Sequence, residues 1–363
     1  MHKRAIGFLS ALCIAGTAFM CSAVSSTPAI ANPNFKGKAV KFIVPFSPGG
    51  GTDTFARITT KHMRQFIPGK PKTVIRNAPG GGSVIGANMG YKAKPNGLTL
   101  LVTSGSTVME NILRSKGVEY YLETMHPIYS APSGLIYWTS PEVIKEPLDI
   151  FDTDQLIFGH ISPTGGTGSL FVWAKELLGF TSKDIWGYEG GSAARGAFHQ
   201  GEVNIGGEST IGFNSSMLSY LDKKEIVPMF QSGILDENGN VIREPAAPDV
   251  PTVAELYEMK YGKKPSGQAY EAYKLIVGTR TYGKAMLLPT ETPAEVVAAY
   301  DQAVTEMIVD KGFLADAEKM NPGAPHFSGA SLKKSYPQSV AAPPELLEFM
   351  KKVYREKYNA TLE

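Results

Sequence analysis

Cysteine is nearly absent from this chain: of 363 residues only Cys13 and Cys21 are cysteine, and both fall within the first 31. Beyond that segment there is no thiol, which excludes a disulfide framework, a cysteine nucleophile and cysteine-based metal ligation. A surplus of charge is lacking too. Of the 36 Lys and Arg, Lys3 and Arg4 lie in the same segment, which leaves 34 against 34 Asp and Glu. Such balance offers no concentrated positive face, so neither nucleic acid nor an anionic membrane is an expected partner. Apolar runs of membrane-spanning length are missing after residue 31. So are solenoid repeats, heptad runs and low-complexity tracts.

What the first residues do contain is an export pattern. Lys3 and Arg4 supply a short positive region, residues 5–24 an apolar one diluted by Ser, Gly and Thr, and Ala29-Ile30-Ala31 a small-x-small end. That combination predicts a signal segment, 1–31, cleaved after Ala31, rather than a retained anchor. Leu12 precedes Cys13 and Met20 precedes Cys21. Lipoprotein processing needs a small residue at those places, so a free periplasmic protein is expected. The remaining 332 residues, 363 less 31, are long for one core and comfortable for two domains.

Short β-rich runs alternate with amphipathic stretches, the pattern of an α/β protein with mostly parallel sheets. Strands are expected at residues 40–44, 73–76 and 98–103, with helices at 54–66 and 84–93. Each strand ends in a loop rich in Gly, Ser or Thr: residues 45–53, 79–83 and 104–107. A second block begins near Leu135, with strands at 156–160, 185–188 and 203–206 and helices at 170–178 and 193–200. Residues 227–231 cross back, and 234–251, rich in Gly, Pro, Asp and Asn, read as a surface loop. The segment 274–278 and helices at 293–309, 312–320 and 344–358 read as first-domain material returning. Two lobes joined by two crossings, forming a hinge, are therefore expected, with 32–131 plus 251–363 as domain 1 and 132–250 as domain 2.

The glycine loops fail the nucleotide patterns. No Lys follows Gly49-Gly50-Gly51 or Gly80-Gly81-Gly82 in the phosphate-loop register, and the dinucleotide pattern meets Thr54 and Ile85 where glycine is required. They do supply unobstructed backbone N–H groups at helix N-termini, where the dipole favours an anion such as a carboxylate. A tight-turn role for each glycine is the alternative. Thr52 suits a helix cap or a ligand contact, and Asp53 beside the helix start suits the dipole. Ser106 and Thr107 have no evident structural duty, and Arg195 either clamps a distal carboxylate or pairs with an acid. Glu208, at a strand end, accepts from a ligand or serves as a capping or hinge acid. The G-x-S-x-G elbow is absent, and His62, His126, His160, His199 and His326 are scattered without metal-ligand spacing. No catalytic residue, cofactor or metal is expected.

These residues resemble the solute receptors of tripartite tricarboxylate transporters, the Bug/TctC family. The opening signature V-P-F-x-x-G-G-G-T-D is matched by Val44-Pro45-Phe46-Ser47-Pro48-Gly49-Gly50-Gly51-Thr52-Asp53. Echoes of later signatures stand at Arg76 to Ala87, at Pro95-Asn96-Gly97-Leu98-Thr99-Leu100-Leu101 and at Pro248-Asp249-Val250-Pro251-Thr252-Val253-Ala254-Glu255. The resemblance implies a two-lobed periplasmic binding fold of the type II, Venus-flytrap kind, two integral-membrane transporter subunits as partners, and a monomer. It implies that Pro48, Gly49, Gly50, Thr52 and Asp53 hold a ligand carboxylate with help from Ser104, Ser106 and Thr107. Thr164, Gly165 and Thr167, in a loosely kept Ser/Gly loop, join Arg195 and Glu208 at the distal end. Where the family has V-P-Y-K-G-S this chain has Trp186-Gly187-Tyr188-Glu189-Gly190-Gly191. That exchange of lysine for Glu189 predicts a distal group less anionic than that of citrate. A sensory receptor and a periplasmic hydrolase or isomerase are the other readings.

Overall fold

The computed structural model describes residues 33–236 and 238–362. The expected export segment, its cleavage site included, lies outside them. In chain order the strands are β1 (Ala39–Val44), β2 (Lys72–Asn77), β3 (Thr99–Ser104), β4 (His126–Ala131), β5 (Leu135–Thr139), β6 (Ile157–His160), β7 (Lys183–Trp186), β8 (Ile205–Ser209), β9 (Val227–Gln231), β10 (Ile234–Leu235), β11 (Val241–Ile242), β12 (Lys284–Leu288) and β13 (Phe327–Ser328). One sheet runs β2-β1-β3-β12-β4-β13 and the other β7-β6-β8-β5-β9. In each, three parallel strands are followed by one that runs against them: β12 beside β3, and β5 beside β8.

Position in the sheet explains the sequence of each strand. Central β3 and β12 are buried along nearly their whole length and carry the unbroken apolar stretches Leu100-Leu101-Val102 and Ala285-Met286-Leu287-Leu288, as strands covered on both faces do. Edge strand β2 alternates exposed and half-buried residues. The first core gathers Phe42, Val44, Phe55, Tyr129, Met286 and Tyr300 about the six-stranded sheet. The second gathers Tyr137, Phe158, Phe171 and Phe230 about the other, where the Phe158 and Phe171 rings stack at 3.9 Å. Because Phe158 is wholly buried, Phe158→Ala is expected to cost about 3–5 kcal/mol of stability. Urea unfolding should register this as a lower midpoint at an unchanged slope.

The helices that matter below are α1 (Gly51–Met63), α2 (Val84–Tyr91), α3 (Gly105–Leu113), α4 (Gly166–Leu178), α5 (Gly191–His199), α6 (Thr210–Ser216), α7 (Leu218–Asp222), α8 (Val253–Tyr261) and α9 (Gln268–Thr281). Two of them correct the sequence reading. Helix α1 begins at Gly51 rather than residue 54, because extended Gly50 caps it and Asp53 fits its first turn. Residues 104–107, expected as a loop, start α3: Ser104 Oγ accepts from Ser106 N at 3.1 Å, and Thr107 Oγ1 accepts from Ser104 N at 3.4 Å. Segment 274–278 lies inside α9, and the strand that returns to the first sheet is β12. Within 234–251 the chain forms the short β10–β11 hairpin. It passes from one large sheet to the other between Ala131 and Leu135, and back between Gln231 and Lys284.

Candidate functional site

The carboxyl ends of β1, β3, β6 and β8 converge with the first turns of α1, α3, α4 and α5 on a cleft between the two large sheets. Its free volume is about 40 Å³, room for a few water-sized groups, and Phe46, Leu135 and Ile161 form its apolar wall. A wider groove beside α4 and β7 is open to solvent, and its charges are paired with one another: Lys175 with Asp184, and Lys357 with Glu176.

Two cations face the cleft. Arg280, in the last turn of α9, is 3% exposed, and its Nε and Nη2 are buried without a hydrogen-bond partner among the described residues. Its guanidinium is wedged between the first residues of α3 and α4. A Cβ on Gly105 would fall 2.1 Å from Nη1, and one on Gly166 would fall 2.1 Å from Nη2. A cation pressed on the positive ends of two helices is unfavourable unless an anion joins it. Burial pushes the guanidinium down to about 10 against the opposing charge of Glu244. Lys284, which opens β12, is 4% exposed and donates to Thr52 Oγ1 at 2.8 Å. Burial, aided by the Arg280 charge, pushes it down to about 7.

Lys284 sets a pH dependence. Its folded value lies below the unfolded one near ~10.4, so the buried ammonium costs stability in full below pH 7, a cost relieved as pH rises and the folded lysine loses its proton. Ligand-free stability is expected to rise between about pH 7 and 9.5, by up to about 1.4 kcal/mol per unit from this group. Lys284→Met should flatten that rise in denaturation series. A bound anion holds the ammonium charged, so ligand affinity is expected to fall over the same interval.

The acid facing the cleft is Glu208, at the end of β8 and 4% exposed. Its Oε1 accepts from Gly51 N, at the start of α1, at 3.2 Å, and its Oε2 pairs with Arg195 Nη1. Burial raises its pKa, with Arg195 and the Gly51 N–H opposing. Arg195 Nη2 also donates to Gly49 O at 3.4 Å, and Ser192 Oγ to Pro48 O at 3.0 Å. A second seam lies at α3 and α4. There Gly166 N donates to Ser106 Oγ at 3.0 Å, and Glu110 Oε1 accepts from Ser162 Oγ at 3.1 Å and Thr164 Oγ1 at 3.0 Å. Burial raises Glu110 to about 7.

Of the residues singled out from sequence, Gly50, Thr52, Ser104, Ser106, Thr167 and Glu208 line the cleft, and Pro48, Gly49 and Arg195 sit at its rim. Asp53 is engaged within its own half by Gly49 N at 2.9 Å, Arg57 Nε at 2.8 Å and Asn77 Nδ2 at 3.0 Å. Burial alone would raise its carboxyl, and these donors hold it below the usual range. Thr107 completes the α3 cap, Thr164 bonds Glu110, and Gly165 N donates to Ser162 Oγ at 2.8 Å. Glu189, the acid expected to act at the distal end, is exposed and outside the cleft; the acid that lines the cleft is Glu208. Sequence reasoning missed Arg280, Lys284 and His160. The one signal for the cations was two basic residues four apart, flanking Gly283 at the mouth of an apolar strand. His160, at the end of β6, is 3% exposed with Nε2 unpartnered, and burial lowers it to about 4.

No family model matches the chain. Protein BugT of Bordetella pertussis is 24% identical over 333 residues, covering 87% of this chain and 96% of that protein. Among solved structures, the periplasmic binding protein BugD superposes with a TM-score of 0.65 at 19% identity, covering 86% of this chain and 97% of its own. Rpa4515 of R. palustris, solved with adipate, superposes at 0.67 and 18% identity, covering 86% and 97%. Both structures share the two-lobed α/β fold described above. The chain is thus similar over nearly its full length to BugT, and in fold to BugD and Rpa4515.

Proposed function

We propose that this protein is a periplasmic receptor that captures a small carboxylate-bearing solute between its two lobes and delivers it to the two integral-membrane subunits of a tripartite tricarboxylate transporter. The observation that carries the reading is Arg280, a buried guanidinium with open donors at the N-termini of two helices, beside Lys284. A carboxylate completes both cations and both helix ends at once. The likeness to BugT over nearly the whole chain and the adipate held by a structural neighbour support the same class of ligand. The two sheets with their helices act as lobes, 32–131 plus 251–363 and 132–250, and the two passages between them act as the hinge. Export with cleavage after Ala31, and a monomer, complete the proposal.

Ser106 Oγ accepts from Gly166 N, Thr52 Oγ1 accepts from Lys284, and the His160 imidazole is buried with its pKa lowered. Binding without turnover is the expected behaviour, with Lys284 serving the ligand's carboxylate rather than a base. Thermal denaturation against a panel of mono-, di- and aromatic carboxylates tests it. A ligand at about 100 times its Kd adds about 2.7 kcal/mol and a readable rise in melting temperature. Uniform failure across the panel, or conversion of any member seen by mass spectrometry, would count against a receptor.

A further inference from the structure

The two ends of the cleft are electrostatically unlike, and that difference defines the ligand more narrowly. At the α1 end the anion seat is already taken. Glu208 accepts from Gly51 N at 3.2 Å and pairs with Arg195. It is boxed in by glycines: a Cβ on Gly191 would fall 2.9 Å from its Oε1, and one on Gly212 would fall 2.3 Å from it. So placed, and 4% exposed, its carboxylate is held at the Gly51 N–H and the Arg195 guanidinium. A ligand carboxylate brought to the same N–H would meet a like charge in a site of low dielectric. At the other end, Arg280 presents two buried, unpartnered nitrogens, and Lys284 uses one donor of its three.

We propose that the ligand is a compact monocarboxylate carrying a hydrogen-bond donor, an ammonium or a hydroxyl: its carboxylate seats on Arg280 and Lys284, and its donor faces Glu208. Glu208 thus stands in for the second carboxylate that a dicarboxylate such as the neighbour's adipate carries. The open Nε2 of His160, on the same cleft wall, is a further polar atom for that end of the ligand. The small free volume keeps the two groups within a few bonds of each other. This proposal rests on the reading of the cleft as a carboxylate receptor.

Isothermal titration of the full-length purified protein at pH 7 tests it. The probes are monocarboxylates of two to six carbons, their 2-amino and 2-hydroxy derivatives, and dicarboxylates of the same lengths. The expected result is that an amino or hydroxy derivative binds at least tenfold more tightly than its unsubstituted parent and than the dicarboxylate of equal length. In Glu208→Gln, which keeps an acceptor for Gly51 N but loses the charge, the ammonium compound is expected to weaken at least tenfold and the dicarboxylate to strengthen. A wild-type protein that prefers dicarboxylates overturns the proposal, without any variant, and leaves the receptor reading standing. An unchanged ranking in a folded Glu208→Gln overturns it as well. If no carboxylate binds at all, the receptor reading itself has failed and the proposal falls with it.

Discussion

Replacing Arg280 with methionine is expected to raise the melting temperature of the ligand-free protein while abolishing carboxylate binding. In the absence of an anion the guanidinium is buried, has two nitrogens without partners and lies against two helix N-termini. Removing the charge is stabilising to the extent that its desolvation exceeds the attraction of Glu244, a carboxylate that keeps its own donors in Thr210 and the Gly134 N–H. At roughly 2–4 °C per kcal/mol for a large domain, each kcal/mol relieved is a rise of that size. The same exchange removes a planar, charge-assisted donor pair from the carboxylate. Losing one partner of a buried charge pair costs about 2–5 kcal/mol, a loss in affinity of roughly 30-fold to several thousand-fold. Calorimetric melting with and without ligand reads both effects. A lower melting temperature in Arg280→Met with binding intact would show that the cation serves the fold rather than the ligand. Arg280→Lys keeps the charge but not the fork, so partial binding is expected.

The second large effect is steric. Gly51, the first residue of α1, approaches α6 from across the cleft. A Cβ there would lie 2.1 Å from Ser209 Oγ and 2.8 Å from the Gly212 backbone nitrogen. The hydroxyl can rotate away but the backbone cannot. Gly51→Ala is therefore expected to hold the two halves apart by a few tenths of an ångström or more and to weaken ligand binding by at least about tenfold, roughly 1.4 kcal/mol. Stability should change little, since neither hydrophobic core includes this position and alanine suits a helix better than glycine does. Titration calorimetry reads the affinity. Gly196→Ala is the matched control: that glycine lies within α5, and a Cβ there meets nothing within 4 Å. The control should gain about 0.5–1 kcal/mol of stability with unaltered affinity. Equal affinities for the two variants would refute the close-approach role of Gly51.

Much of the fold was legible in the sequence because its signals are local. The apolar run of β1, the Gly-Gly-Gly-Thr-Asp turn and the helix that follows depend on neighbours within a few residues. The start of α3 was misread as a loop for an equally local reason: Ser104 and Thr107 form a reciprocal cap, and residues that favour turns also favour caps. The Thr252–Glu255 box at the head of α8 carries the same kind of signal. The path of β12 was not legible. Nothing in a five-residue apolar strand states that it inserts between β3 and β4, antiparallel to both.

That insertion separates what the sequence by itself determined from what the tertiary structure decided. From the residues alone followed the missing thiols, the neutral balance of charge, the α/β alternation and the glycine-rich helix starts that welcome an anion. Which charges meet at those helix starts came only from the folded chain. Lys284 reaches Thr52 across 232 residues of sequence and Glu208 reaches Gly51 across 157, distances no spacing rule spans. The physical reason is that a backbone N–H at a helix end attracts any anion, the protein's own carboxylate included. Sequence therefore shows that such a seat exists, and only packing shows whether Glu208 or a solute fills it.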